Sequence, residues 1–137
     1  MIAELADALA AGRVTAVALA VGALERIAAF DRAGPVLNAV PILNPAAFDE
    51  ALASDRRRAA GRCLGPLDGI PYTAKGSFKA RGLPCDAGSP AFAGLIATED
   101  SFAVERLRAA GAEQLILTTM PPRANGGMMP RMIGRAE

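Results

Sequence analysis

The chain has 137 residues and a mass of 14.0 kDa, the length of one compact domain. With 52% hydrophobic and 21% charged residues it can bury a core and is too apolar for a disordered segment. Its 15 Lys and Arg against 14 Asp and Glu leave a net charge of +1, no footprint for a nucleic-acid backbone, and the absence of histidine excludes imidazole acid–base chemistry and HExxH zinc sites unless another chain supplies the ring.

The first 60 residues are alanine-rich and helical in pattern. Residues 2–11 form a short helix stopped by Gly12. Thr15 is an N-cap for a second helix, in which Val17, Ala20, Val21, Leu24 and Ala28 form one apolar stripe, ended by Gly34-Pro35. The apolar run Val14–Leu24 has Glu4 and Asp7 upstream where a secretory leader has positive charge, and it is too short to span a bilayer. It is expected to be a core helix of a cytoplasmic protein with no membrane partner. Asn44-Pro45 is an N-cap followed by proline at the first helical position. Asp49 and Glu50 lie in the first turn of this third helix, and Arg56, Arg57 and Arg58 form a solvated helix end.

The pattern changes at Gly61. Gly65-Pro66-Leu67-Asp68-Gly69 is turn chemistry, and Ile70 to Lys75 alternates as a strand, with Pro71 placing it at an edge or making its start irregular. Residues 76–97 form a long Gly-, Pro- and Ser-rich loop, of a length that is usually functional or needs support from elsewhere. Residues 99–110 form a helix with Phe102, Ala103, Leu107 and Ala110 inward, and Gln114–Thr119 a second strand. Strand, helix, strand in this order predicts an α/β sheet with a crossover. Met120–Glu137, with three prolines and three glycines, has no regular pattern.

Cys63 and Cys85 form no CxxC and are expected to be idle thiols, so neither a structural zinc site nor a thioredoxin-type motif is expected. None of Ser54, Ser77, Ser89 and Ser101 lies in a GxSxG elbow, and neither a Walker loop nor a GxGxxG is present. Lysine is the rare cation: Lys75 and Lys79 are 2 of 15 basic residues. Arginine cannot give up its proton, whereas a buried lysine can be tuned into a neutral base. From this alone Lys75, at a strand end beneath a Gly/Pro-rich loop, is either such a base or a surface lysine.

Longer motifs add to this. Gly65-Pro-Leu-Asp-Gly-Ile-Pro-Tyr-Thr-Ala-Lys75 is followed by Gly82-Leu83, Ala87-Gly88-Ser89-Pro90-Ala91, Phe102-Ala-Val-Glu-Arg-Leu-Arg-Ala-Ala-Gly-Ala112 and Leu117-Thr-Thr-Met-Pro121. Ala124-Asn-Gly-Gly-Met128 and Gly134-Arg-Ala-Glu137 close the series, and Arg26-Ile-Ala-Ala-Phe-Asp31 and Leu37-Asn-Ala-Val40 precede it. In content and order this resembles the amidase signature family, over essentially the whole chain. The resemblance implies hydrolysis of carboxylic amides by a Ser, cis-Ser, Lys triad without metal or cofactor, with Lys75 as the catalytic lysine and Lys79 an ordinary loop cation. It implies an α/β fold in which N-terminal helices pack on the first strands of an incomplete mixed sheet. Residues 1–137 would be the N-terminal fragment of such a domain, with a helical part over 1–60 and a strand-loop-helix-strand part over 61–137 that carries the lysine. Both serines and the oxyanion-hole backbone are expected beyond Glu137.

Three departures stand out: Gly76 where the family usually has Asp after the lysine, polar Glu113 and Gln114 where its strand begins apolar, and Ile116 for its usual glycine. They suit a drifting or truncated copy and equally a piece of a longer enzyme. The expected partners are therefore a small amide-bearing substrate, if the domain is completed, and a second chain or copy that covers the open sheet. A non-catalytic remnant or binding subunit is the rival expectation.

Overall fold

The computed structural model describes residues 2–118. The irregular tail expected over Met120–Glu137, and the Thr119 end of the second expected strand, lie outside the described residues. Among the described residues four α-helices, α1 (Ile2–Ala10), α2 (Ala16–Ile27), α3 (Ala47–Ala59) and α4 (Phe102–Ala109), accompany three strands, β1 (Ile42–Leu43), β2 (Pro71–Lys75) and β3 (Glu113–Thr118). The strand order is β1-β3-β2, with β1 antiparallel and β2 parallel to the central β3. The fold is mixed α/β, as expected.

Thr15 caps α2: its backbone is extended and its Oγ1 accepts from the Ala18 amide at 3.0 Å. Asp55 of α3 accepts from the Ala16 and Val17 amides at 2.7 and 3.2 Å, so a carboxylate from a neighbouring helix satisfies two more of the free donors at this helix start. The buried stripe differs from expectation, since Ala16 and Ala20 are buried while Val21 is exposed. After Ile27 the chain makes one wide turn over Ala28–Arg32. α3 starts at Ala47 and not at Pro45, because Asn44 is used differently. Its Oδ1 accepts from the Ala46 amide at 3.0 Å and its Nδ2 donates to the Gln114 carbonyl at 2.7 Å, which ties the helix entry to β3.

β2 is an edge strand, and its pairing with β3 slips between Tyr72 and Thr73, so Pro71 has both expected effects. β1 was not foreseen, since two residues carry no readable period. α4 corrects a further expectation: Phe102 and Ala103 are exposed and Val104 is the buried residue. The α4 start lies at the surface, and Val104 reaches Leu117, Leu83 and Ala80 on one side of the sheet. The other side carries the main core, built from Leu9, Ala16, Ala20, Ala47 and Ala51 of the first three helices against Ile70, Leu115 and Ile116. Small alanines at the helix contacts let three helices approach one short sheet.

The arginine run is only partly the solvated end that was expected. Arg57 pairs with the fully buried Asp68, and Arg58 donates to the Asp68 carbonyl. Asp68 also accepts from the Ser54 hydroxyl at 2.8 Å and the Leu64 amide at 2.8 Å. Gly111 makes this possible, because its φ is +86° and a Cβ there would stand 2.7 Å from Asp68 Cα. The 65–69 turn is thus held between α3 and the start of β3, and it launches β2.

Candidate active site

Lys75 is the last residue of β2 and pairs in register with Thr118 at the end of β3. Both strands run the same way, so the site lies at their shared carboxyl end, where open α/β sheets usually bind ligands. The lysine is exposed and makes no side-chain hydrogen bond or ion pair among the described residues. The burial expected beneath the 76–97 loop is therefore not supplied by the described residues, because that loop folds back on itself. Cys85 and Leu95 bond through their backbones, as do Leu83 and Ala97, and the loop covers the opposite face around Ala80 and Leu83. Lys79 stands apart, in an exposed ion pair with Glu99.

The backbone beyond Lys75 is held firmly. The Gly76 amide donates to the Thr118 carbonyl at 3.1 Å, and the Gly76 carbonyl accepts from Ala87 at 3.2 Å. Gly76 is buried although Lys75 beside it is exposed. An apolar groove of about 790 Å³ lies along α2 and the sheet, lined among others by Leu19, Ile27, Phe30, Leu37, Thr73 and Ile116. Thr73, two residues before Lys75 and so on the same side of β2, brings this groove towards the lysine. Cys63 and Cys85 are both free. Among the described residues no cluster of His, Cys, Asp and Glu could hold a metal ion, and no helix is long and apolar enough to cross a membrane.

At the far end of β3 the structure explains the polar strand start only in part. Gln114 is fully buried and its Oε1 accepts from the Tyr72 hydroxyl at 3.2 Å. Glu113 is 3% exposed, and neither of its carboxyl oxygens has a partner among the described residues. Burial first, then the nearby Asp55, Glu50 and Asp68, push its pKa up from 4.5 to about 7, against the opposing pull of Arg57. The folded form therefore holds its proton longer than the unfolded one, and stability falls as pH rises from about 4.5 to 7. At about 1.4 kcal/mol per pKa unit this amounts to roughly 3 kcal/mol. We predict that Glu113→Gln raises stability at pH 8 by about 2–3 kcal/mol and flattens that decline in urea unfolding; equal slopes for the two proteins would refute it.

A family model described as Amidase matches residues 22–134. A glutamyl-tRNA(Gln) amidotransferase subunit of Chloroflexus aurantiacus is 46% identical over 106 residues, which are 77% of this chain and 21% of that protein. Its namesake in Salinispora arenicola is 42% identical over 125 residues, 90% of this chain and 25% of its own length. The native peptide amidase of Stenotrophomonas maltophilia superposes with a TM-score of 0.81 at 44% identity, over 85% of this chain and 24% of its own. The chain thus spans 21% to 25% of the length of these relatives.

Proposed function

The chain belongs to the amidase family, and on that footing we propose that it is the lysine-bearing portion of a Ser/cis-Ser/Lys amide hydrolase. The carrying observation is the position of Lys75: an exposed amine, without a side-chain partner among the described residues, at the carboxyl end of two parallel strands and on a backbone fixed from both sides. In this reading the Lys75 amine takes a proton through a bridging serine while a second serine attacks the amide carbonyl. The amine or ammonia leaves, and water then releases the acyl group. Neither serine is assigned within these 137 residues, and neither is the oxyanion-hole backbone, which carries much of the rate in acyl transfer. The same reading gives a cytoplasmic setting, in keeping with the two free thiols.

The 137-residue chain alone is therefore proposed to be inactive and to need covering. The apolar groove, the exposed Phe30 and Leu37 and the edge of β2 that no described strand pairs favour association with another copy or a partner chain. The test joins two readouts on the purified chain, ammonia release over a panel of simple amides and sedimentation at several concentrations. No turnover and concentration-dependent association are expected. Turnover that survives repurification and disappears in Lys75→Ala would contradict the need for outside serines, and a sharp monomer at every concentration would contradict the need for covering.

A further inference from the structure

Lys75 is followed by a glycine that lies against a distant part of the loop. A Cβ built on Gly76 would lie 3.5 Å from Asp86 Oδ1 and 3.6 Å from the Thr118 carbonyl oxygen. A carboxylate ten residues away in sequence thus stands against position 76. Asp86 is held there by its own turn: its Oδ1 accepts from the Gly88 amide at 2.9 Å, and its carbonyl accepts from the Ser89 amide at 2.8 Å. The two residues inside the turn, Ala87 and Gly88, have φ of +50° and +71°. For alanine this conformation costs about 1–2 kcal/mol, and such strain persists only where surrounding bonds impose it. The imposed contact is the Ala87 amide on the Gly76 carbonyl, at 3.2 Å.

We propose that Asp86 is the positioning residue of the Lys75 site: it closes the 86–89 turn that clamps Gly76 against β3 and so fixes the strand end carrying the amine. Asp86 acts through the backbone, as a hydrogen-bond acceptor, and its carboxylate stands at ordinary contact distance from where a Cβ at 76 would lie. An acidic side chain at 76 would set two carboxylates against each other. The proposal rests on reading Lys75 as the catalytic amine, but its geometry can be tested without hydrolysis.

The chain contains two lysines, so acylation by a small amine-reactive ester, followed by peptide mass spectrometry, reports Lys75 against Lys79 as an internal reference. Hydrogen exchange reports the Gly76 and Ala87 amides. Asp86→Ala should shift the Lys75:Lys79 labelling ratio at least threefold and speed exchange at both amides at least tenfold. Asp86→Asn keeps the acceptor and should stay within about twofold of the parent on both readouts. Gly76→Asp should disturb both like Asp86→Ala, and adding Asp86→Asn to it should recover most of the loss, a coupling that a double-mutant cycle detects. If Asp86→Ala does not fold, the Gly76→Asp pair decides alone. An unchanged labelling ratio in Asp86→Ala or Gly76→Asp, damage by Asp86→Asn equal to that by Asp86→Ala, or additive effects in the cycle would overturn the proposal. Turnover of amides by the isolated chain would bear on the proposed function and leave this assignment standing.

Discussion

Asp68→Ala is expected to cost about 3–5 kcal/mol of stability, a large share of the roughly 5–15 kcal/mol that holds a typical domain together. The carboxylate is fully buried, with Arg57 Nη2 at 2.6 Å and Nε at 3.2 Å, and the Leu64 amide and Ser54 hydroxyl completing its shell. Removing it leaves a guanidinium, an amide and a hydroxyl turned towards a void, and costs more than the net worth of the pair. Burial pushes the Asp68 carboxyl up, but the hydrogen bonds from Arg57, Leu64 and Ser54 outweigh it and hold the pKa below its ordinary value. This contribution is therefore present above the unfolded value near 4 and is lost as pH falls through the lower folded value. Glu113 has the opposite sign, so the two buried carboxyls together place maximum stability on the acid side of neutrality. Urea unfolding of the parent chain and Asp68→Ala at pH 3, 5 and 8 checks both claims. A loss below about 1 kcal/mol at pH 5 would show that Asp68 does not hold the 65–69 turn.

The elements that the sequence made legible are those with a strong local signal. Thr15 caps as its side chain dictates, and Pro71 marks an irregular edge strand. What stayed hidden depends on partners far along the chain. Asp55 at the start of α2, Asn44 on β3 and Asp68 beneath Arg57 look like ordinary helix or turn residues until the fold brings them together. β1 has two residues and no period, and the start of α4 was misjudged because Phe102 outweighs Val104 in any apolar count, whereas Leu107 and Ala110 are half-buried. For the site, a retained lysine at a strand end was visible, and the ordered motifs raised it above an ordinary cation. The clamp on Gly76 was not, because ten residues of loop separate it from Asp86.

The second large effect concerns Lys75 itself. The peptide amidase of Stenotrophomonas maltophilia matches 85% of this chain with 24% of its own length, so residues 1–137 can be exchanged for that stretch in a chimera, in which the proposed serines would come from the host. Removing one member of a catalytic unit commonly costs several orders of magnitude in kcat, with little change in binding. Lys75→Ala in the chimera is therefore expected to lower kcat/KM by at least about 10³-fold while the folded protein and its KM change little. Lys79 is held by Glu99 at the surface, and Lys79→Ala should leave the rate within about twofold. The decisive measurement is ammonia release from the host enzyme's own substrate by the chimera, its Lys75→Ala variant and its Lys79→Ala variant, each confirmed as folded. The account predicts turnover in the first and third and none above background in the second; equal rates for the two variants, or a folded chimera without any turnover, would contradict it.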